Sequence, residues 1–273
     1  MTLMGGRKSA AQGGVWLLLA AVLAHPGCVK TCDSFGSLAG ARCRPFGRAC
    51  STSLLSDRLW DPQPNSLASN REMFQQIRSV LAVPGAYDLW WKVVGGPRFA
   101  EVLVSDYLRV KLGTRILEIG CGPGTIVGYL PDVDYLGFDL SSQYIEMARK
   151  RFPHKQFVCE RVSQFSLAKE QSFDIALALG VVHHLDDQEA KQLFQVAYDA
   201  LASGGKLITV DGVWTDDSSQ VARWLLSKDR GEHIRTQQGY AKIASQVFAN
   251  VKTTVRHDLI RIPYSHLILE CVR

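Results

Sequence analysis

The stretch that most restricts how this chain can fold is a glycine turn set between two short apolar runs, residues 115–139. Arg115-Ile116-Leu117-Glu118-Ile119 reads as a buried strand, and Gly120-Cys121-Gly122-Pro123-Gly124 as a tight turn. Thr125 to Leu130 begins a helix, and Tyr135 to Asp139 is a second strand closed by a carboxylate. Glycines at alternate positions remove the Cβ atoms that would keep a ligand off the loop, and they permit positive φ. A carboxylate at the C-terminal end of the next strand can accept both hydroxyls of a ribose. Together these features describe a nucleoside-binding crevice. A dinucleotide turn has the spacing G-x-G-x-x-G and cradles a pyrophosphate on a helix N-terminus. Here the spacing is G-x-G-x-G and Glu118 lies inside the strand, which suits a cationic ligand and repels a phosphate.

The downstream pattern continues an α/β alternation. Ser141 or Ser142 can cap a helix running through Tyr144, Ile145 and Ala148 to Arg151, ended by Pro153. Gln156 to Cys159 is a third strand, and Phe173 to Leu179, almost wholly apolar, is a fourth buried on both faces. It runs into Gly180-Val181-Val182-His183-His184-Leu185-Asp186-Asp187. That segment faces the crevice, because ligands of open α/β sheets bind beyond the C-terminal strand ends. Gln188 to Leu201 forms an amphipathic helix, and Ser203-Gly204-Gly205 turns into a fifth strand, Lys206 to Val210, which ends at Asp211. Polar helices at Gln220 to Leu226 and Gln237 to Val247 precede two strands, Val251 to Asp258 and Ser265 to Cys271.

The run from Ile116 to Gly124 resembles, at every position, the first motif of the class I S-adenosylmethionine-dependent methyltransferases. The resemblance continues through Asp139, through Phe173-Asp174-Ile175-Ala176 leading to His183-His184-Leu185, and through Leu201 to Leu207. It covers roughly residues 98–211 at family spacing. The C-terminal run Arg261 to Cys271 also looks like small bacterial-type members, which often accompany polysaccharide or secondary-metabolite pathways. The resemblance implies a Rossmann-like, seven-stranded mixed sheet with helices on both faces, an antiparallel C-terminal hairpin and an N-terminal helical cap. It implies S-adenosylmethionine as cofactor, held by Glu118, Gly120, Cys121, Gly122, Gly124, Asp139, Leu140, Glu160 and Leu179. Glu118 would meet the polar part of the methionine moiety, Asp139 the ribose and Glu160 the adenine. Cys159-Glu160-Arg161 departs from the family's usual Gly-Asp-Ala-like turn. Cys121 reads as a small filler rather than a nucleophile.

Charge divides the chain. Residues 1–72 hold 8 Lys+Arg and 4 Asp+Glu, a net +4, whereas residues 73–273 hold 23 and 22, a net +1. The second part has no basic stripe to follow a nucleic-acid backbone, so no nucleic-acid partner is expected. In the first part, Arg7-Lys8 precedes the ten-residue apolar run Val15 to Ala24, too short to span a bilayer but suited to a secretory segment. Cys28, Cys32, Cys43 and Cys50 follow, and Lys30 to Arg48 bears Arg and Ser with only Asp33 acidic, as organellar targeting segments do. An exported enzyme would be separated from S-adenosylmethionine, which is made inside cells. The expected division is therefore an extension, residues 1–72, that is disordered, targeting-like or upstream of a true start at Met73, and a catalytic domain, residues 73–273, in the cytoplasm. The Cys28/Cys32 pair has no matching second pair, and no metal is expected.

Helical spacing recurs at Phe74, Ile77, Val80 and Leu81 and again at Phe99, Val102, Leu103 and Leu108. Between them, Tyr87 to Trp91 with Gly95-Gly96 forms an aromatic helix or turn whose rings suit a sulfonium neighbour. Methyl transfer is a displacement in which orientation of the acceptor lowers the barrier by roughly 7–11 kcal/mol. A hydroxyl acceptor also profits from a general base. On an extended segment adjacent side chains point opposite ways, so at most one histidine of the pair faces the methyl group, and His184 is the candidate; the alternative makes both histidines packing, capping or cofactor-shell groups. Asp211, Asp186 and His257 are further candidates. The expected activity is methyl transfer to a small molecule, at an oxygen of a sugar or metabolite. The rival is a methyltransferase-fold protein that binds without catalysis. An NAD-dependent oxidoreductase is disfavoured by Glu118 and by the glycine spacing.

Overall fold

The computed structural model describes Leu89 and residues 91–165, 172–229 and 231–273. The expectations for residues 1–72, for the helix through Phe74 to Leu81 and for Trp90 lie outside the described residues. One mixed sheet organises the rest, in the order β3-β2-β1-β4-β5-β8-β7. Its parallel half comprises β1 (Arg115–Ile119), β2 (Asp134–Asp139), β3 (Gln156–Cys159), β4 (Phe173–Leu179) and β5 (Leu201–Trp214). Then β7 (Asn250–Arg256) and β8 (His266–Val272) close it as an antiparallel hairpin, with β8 on β5.

Two details extend the expected seven strands. An eighth, β6 (Arg235–Thr236), pairs with Val213 and Trp214. The fifth strand also begins earlier and runs further than Lys206 to Val210. The turn Ser203-Gly204-Gly205 lies inside it as an irregularity, where the partner of Phe173 is Leu201 and that of Ile175 is already Lys206. Gly204 takes φ 77° there, a left-handed conformation that glycine adopts without strain.

Alternate residues of each central strand serve opposite faces, as the two-residue strand period requires. Leu117, Ile119, Ala176, Ala178 and Leu207 pack with Leu193, Phe194 and Ala197 of α3 (Asp187–Ala200) and Tyr240 of α5 (Gln237–Ala244). Ile116, Tyr135, Ile175, Leu177 and Ile208 pack on the other face with Phe99 of α1 (Gly96–Val102) and Ile145 of α2 (Ser142–Arg151). A π-helical turn, Leu103–Leu108, extends α1, and α4 (Gln220–Lys228) follows β5. Fully burying side chains such as Leu193 and Phe194 stabilises by about 1.5–3 kcal/mol each.

Helix starts follow from local chemistry. Ser141 Oγ accepts from the Tyr144 N–H at 3.4 Å. Asp186 caps α3 in a capping box with Glu189, its Oδ1 accepting from Gln188 N–H at 3.0 Å and Glu189 N–H at 2.9 Å. The segment after the glycine turn is a five-residue 3-10 helix, Thr125–Tyr129. Strand order reverses between β1 and β4, and a crevice opens beyond their C-terminal ends.

Candidate active site

Three adjoining clefts line that crevice. The first, of about 630 Å³, is bordered by Gly120, Phe138, Asp139, Leu140 and Glu160. The second, of about 370 Å³, is bordered by Glu118, Gly120, Cys121, Gly122, Trp91 and Leu179. The third, of about 560 Å³, takes in Trp91, Leu179, His183, Asp211, Asp229 and Tyr264. Gly120 is common to the first two, and Trp91, Phe99 and Leu179 to the last two. The crevice is thus one passage, running from the end of β3 past the glycine loop to the ends of β4 and β5.

The loop is tied to the second strand. Gly120 and Cys121 N–H both donate to Phe138 O, at 2.8 and 3.0 Å. Gly122 N–H donates to Asp139 Oδ2 at 2.9 Å, and Ser141 N–H to Asp139 Oδ1 at 2.8 Å. Each carboxylate oxygen keeps a further acceptor direction. Gly120 stands at φ 72°, and a Cβ there would meet Val181 Cγ2 at 2.6 Å. A Cβ on Gly122 would meet nothing within 4 Å, so its removal leaves the space above the loop open. Gly124 differs from the other two: it borders none of the three clefts, and its Cα faces Phe152 and Phe157.

Glu118 is buried beneath this loop and accepts from the Tyr135 hydroxyl. Burial pushes its carboxyl up to about 8, against the opposing Tyr135 hydrogen bond and with the aid of the nearby Asp139 charge. Burial also raises Asp139, opposed by the hydrogen bonds from Ser141 and Gly122, and it raises the Cys121 thiol and the Tyr135 phenol well above their usual ranges. A buried acid of this kind ionises most readily when a cation arrives beside it. Cys121 borders the second cleft, where burial and the Glu118 and Asp139 charges disfavour its thiolate.

At the other end, His183 and His184 sit on a 3-10 turn, Val182–His184, rather than on an extended segment, so the alternation argument does not apply. Their rings lie 4.2 Å apart, and His183, not His184, borders the third cleft. His183 Nδ1 is 2.8 Å from Asp211 Oδ1, which also accepts the His183 backbone N–H at 3.2 Å. An ionised carboxylate only accepts, so Nδ1 carries the proton of the neutral ring and Nε2 the lone pair. Nε2 lies 3.6 Å from Asp229 Oδ1. Burial lowers the affinity of this imidazole for a proton, but the Asp211 hydrogen bond and the Asp229 and Asp211 charges outweigh it, and the net shift is upward.

Arg235 fixes the turn, donating to Val182 O at 3.1 Å and Leu185 O at 2.7 Å while paired with Asp187 at 2.8 Å. Gly231 lets the next loop lie against the His183 ring, where any Cβ would overlap it. In that loop Asp229 accepts from Gly231 N–H at 2.9 Å and from the Tyr264 hydroxyl at 2.5 Å. Among the described residues, no cluster of three or more His, Cys, Asp or Glu side chains could hold a metal ion. None of their helices is long and apolar enough to cross a membrane.

The crevice therefore gathers Glu118, Gly120, Cys121, Gly122, Asp139, Leu140, Glu160 and Leu179, and leaves Gly124 behind the loop as a packing residue. Asp186 is a helix cap. His257 pairs with Asp217 at 3.3 Å and Ser265 at 3.1 Å, and it borders none of these clefts. Asp211 was discernible as a carboxylate ending a strand, whereas Asp229, Tyr264 and Arg235 carry no motif that marks them.

An α/β sheet of this order, with an open glycine loop and an acid ending β2, defines a nucleoside-binding domain. Residues 116–205 match the family model described as "Methyltransferase domain". That match, together with the sheet order, supports a class I S-adenosylmethionine-dependent methyltransferase. It is 26% identical over 175 residues to a tRNA (carboxymethyluridine(34)-5-O)-methyltransferase of Saccharomyces cerevisiae, covering 59% of each chain. It is 30% identical over 157 residues to an O-methyltransferase of Pyrenophora dematioidea, covering 50% of this chain and 58% of that one. The chain spans less than two thirds of the length of either relative. Among solved structures, the plantazolicin methyltransferase BpumL superposes with a TM-score of 0.53 at 18% identity, covering 72% of this chain and 93% of that one. A TehB-like methyltransferase of Corynebacterium glutamicum superposes at 0.50 and 18%, covering 68% and 96%. At these identities the structural likeness concerns the fold. Since one relative bears a tRNA methyltransferase name, membership of the class does not by itself choose the acceptor.

S-adenosylmethionine fits the residues present. The space over Gly122 is open, Asp139 presents acceptors for hydroxyls, and Glu118 under the loop is a buried acid whose ionisation a neighbouring cation would favour and a phosphate would oppose.

Proposed function

We propose that the chain moves the methyl group of S-adenosylmethionine to a hydroxyl oxygen of a small molecule, with His183 as general base. The observation that carries this reading is the Asp211–His183 pair on the wall of a cleft that shares Leu179 and Trp91 with the cleft beside the glycine loop. On this reading Asp139 takes the ribose hydroxyls and Glu160 the adenine amino group. Glu118 faces the charged methionine end. Gly120, Cys121 and Gly122 allow backbone approach, while Leu140 and Leu179 supply apolar walls. Residues 73–273 form the catalytic domain, and residues 1–72 stand outside it.

When bound, the cofactor supplies a methyl group on a sulfonium whose leaving group is neutral. The chain's own residues do the rest. Asp211 fixes the imidazole so that Nε2 presents its lone pair to the cleft. With the cofactor held beside the glycine loop, Nε2 would take the proton of the hydroxyl whose oxygen accepts the methyl group. A base so placed contributes on the order of 10²–10⁴ in rate. The near-neutral charge of residues 73–273 and a third cleft bordered by no Lys or Arg among the described residues favour a free small molecule over a polyanion.

The test is release of S-adenosylhomocysteine by the full chain with a panel of small alcohols, phenols and amines. Turnover with hydroxyl compounds, rising with pH as His183 loses its proton, is expected. Calorimetric binding of the cofactor without turnover of any panel member would favour the non-catalytic rival.

A further inference from the structure

We infer that Asp229 is a specificity residue, and that with His183 it receives a neutral vicinal diol, one hydroxyl being methylated while its neighbour is held by the carboxylate. The inference rests on the hydroxyl-methylation reading above. Asp229 comes from the loop after α4, and its side chain is 1% exposed on the border of the third cleft. Its Oδ2 accepts from Tyr264 and its Oδ1 from the Gly231 N–H, and each oxygen retains a free acceptor direction. Among the described residues its ion pair is with His183 Nε2, at 3.6 Å.

That distance exceeds a hydrogen bond. Nε2 and Oδ1 thus stand side by side as two acceptors on one border of the cleft. Two hydroxyl oxygens on adjacent carbons are themselves about a hydrogen-bond length apart, so one can donate to Nε2 while the other donates to Oδ1. A lone hydroxyl has one proton and leaves one of the two buried acceptors unmet, which is the situation a polar site discriminates against most strongly. An anionic acceptor meets two carboxylates and, among the described residues, no Lys or Arg on that border. Trp91, Phe99, Ile260 and Tyr264 supply apolar surface for the carbon body. In the step itself the proton of the first hydroxyl passes to Nε2, its oxygen gains the methyl group, and the cofactor leaves as the neutral thioether. The second hydroxyl remains bound to Asp229 and unmodified.

Catechol and phenol are the probes, with the full chain, S-adenosylmethionine and measurement of S-adenosylhomocysteine release. Catechol is expected to exceed phenol at least about tenfold in kcat/KM, giving the monomethyl ether alone. In Asp229→Asn the catechol-to-phenol ratio is expected to fall toward one, while cofactor affinity stays at the wild-type value. A ratio near one in the wild type overturns the inference and leaves hydroxyl methylation standing. A ratio unchanged by the substitution does the same. Methylation of benzylamine in preference to catechol overturns it in favour of an amine site. Cofactor binding with turnover of neither phenolic probe removes it together with the hydroxyl reading. The wild-type comparison needs no variant, so a poorly folding Asp229→Asn does not shelter the idea.

Discussion

The two ends of the crevice are built in different ways. The end proposed for the cofactor is centred on one continuous stretch, residues 115–141, joined by Glu160 and Leu179, and its loop is fixed through backbone: three N–H groups are bound to Phe138 O and Asp139. The end proposed for the acceptor is assembled from side chains far apart in the chain, with Trp91 before the sheet, His183 after β4, Asp211 on β5, and Asp229 and Tyr264 beyond it. Backbone-built recognition constrains sequence tightly, since few residues other than glycine tolerate the φ values involved. Side-chain recognition constrains it loosely, since a substitution there leaves the chain's path unaltered. One end can stay fixed while the other changes its clientele.

The largest effect should fall on the acceptor end. His183→Ala is expected to lower kcat by about 10²–10⁴ at saturating cofactor and to leave cofactor Kd near wild type. His184→Ala should keep kcat within about tenfold. Steady-state kinetics with calorimetry separates the two. Equal losses in both variants would return the base assignment to the histidine pair as a unit.

Next comes Glu118, at the cofactor end. Its folded carboxyl titrates at about 8 against an ordinary 4.5, so the folded chain keeps a proton that the unfolded chain releases. Stability from this group is full below pH 4.5 and declines as pH rises toward 8, by several kcal/mol in order of magnitude. Glu118→Gln should erase that slope, so the variant gains on the wild type as pH rises from 5 to 8, while binding S-adenosylmethionine less well. Denaturation curves of both proteins across this range check it. Parallel pH profiles would show that Glu118 is already ionised in the fold.

Asp139→Ala should weaken S-adenosylmethionine binding by about 3 kcal/mol, roughly a hundredfold, because it removes charge-assisted acceptors and the anchor of the Gly122 N–H together. Unchanged affinity in calorimetry would remove the ribose assignment.

What was legible in the sequence follows the same division. The strand β1 and the strands β3 and β4 lie where alternation, apolar runs and glycine place them, because those signals act over a few neighbouring residues. The argument for His184 needs an extended backbone, and the segment is a 3-10 turn instead. Arg235, over fifty positions further on by chain order, winds that segment into a turn by binding Val182 O and Leu185 O. The short β6 forms because that same arm returns beside Val213, and its two residues carry no periodicity to read. Gly124 looked like the third member of a ligand loop, but its missing Cβ makes room for Phe152 and Phe157. Asp229 meets His183 only after α4 has folded back, and nothing in Lys228-Asp229-Arg230-Gly231 announces that meeting.

Asp186 gives the smallest effect and tests where the acceptor end stops. By sequence it belongs to the same acidic run as the histidines and is equally eligible for chemistry. In the fold its Oδ1 is committed to the Gln188 and Glu189 N–H groups, and Glu189 Oε2 returns to the Asp186 N–H at 3.3 Å. Asp186→Ala should therefore cost about 1 kcal/mol of stability, the worth of a helix cap, seen as a melting shift of roughly 2–4 °C. Cofactor Kd and the catechol-to-phenol ratio should not move. A change in that ratio approaching the one expected of Asp229→Asn would mean that the cap also sets the position of His183, and the boundary between scaffold and acceptor site would then lie within α3.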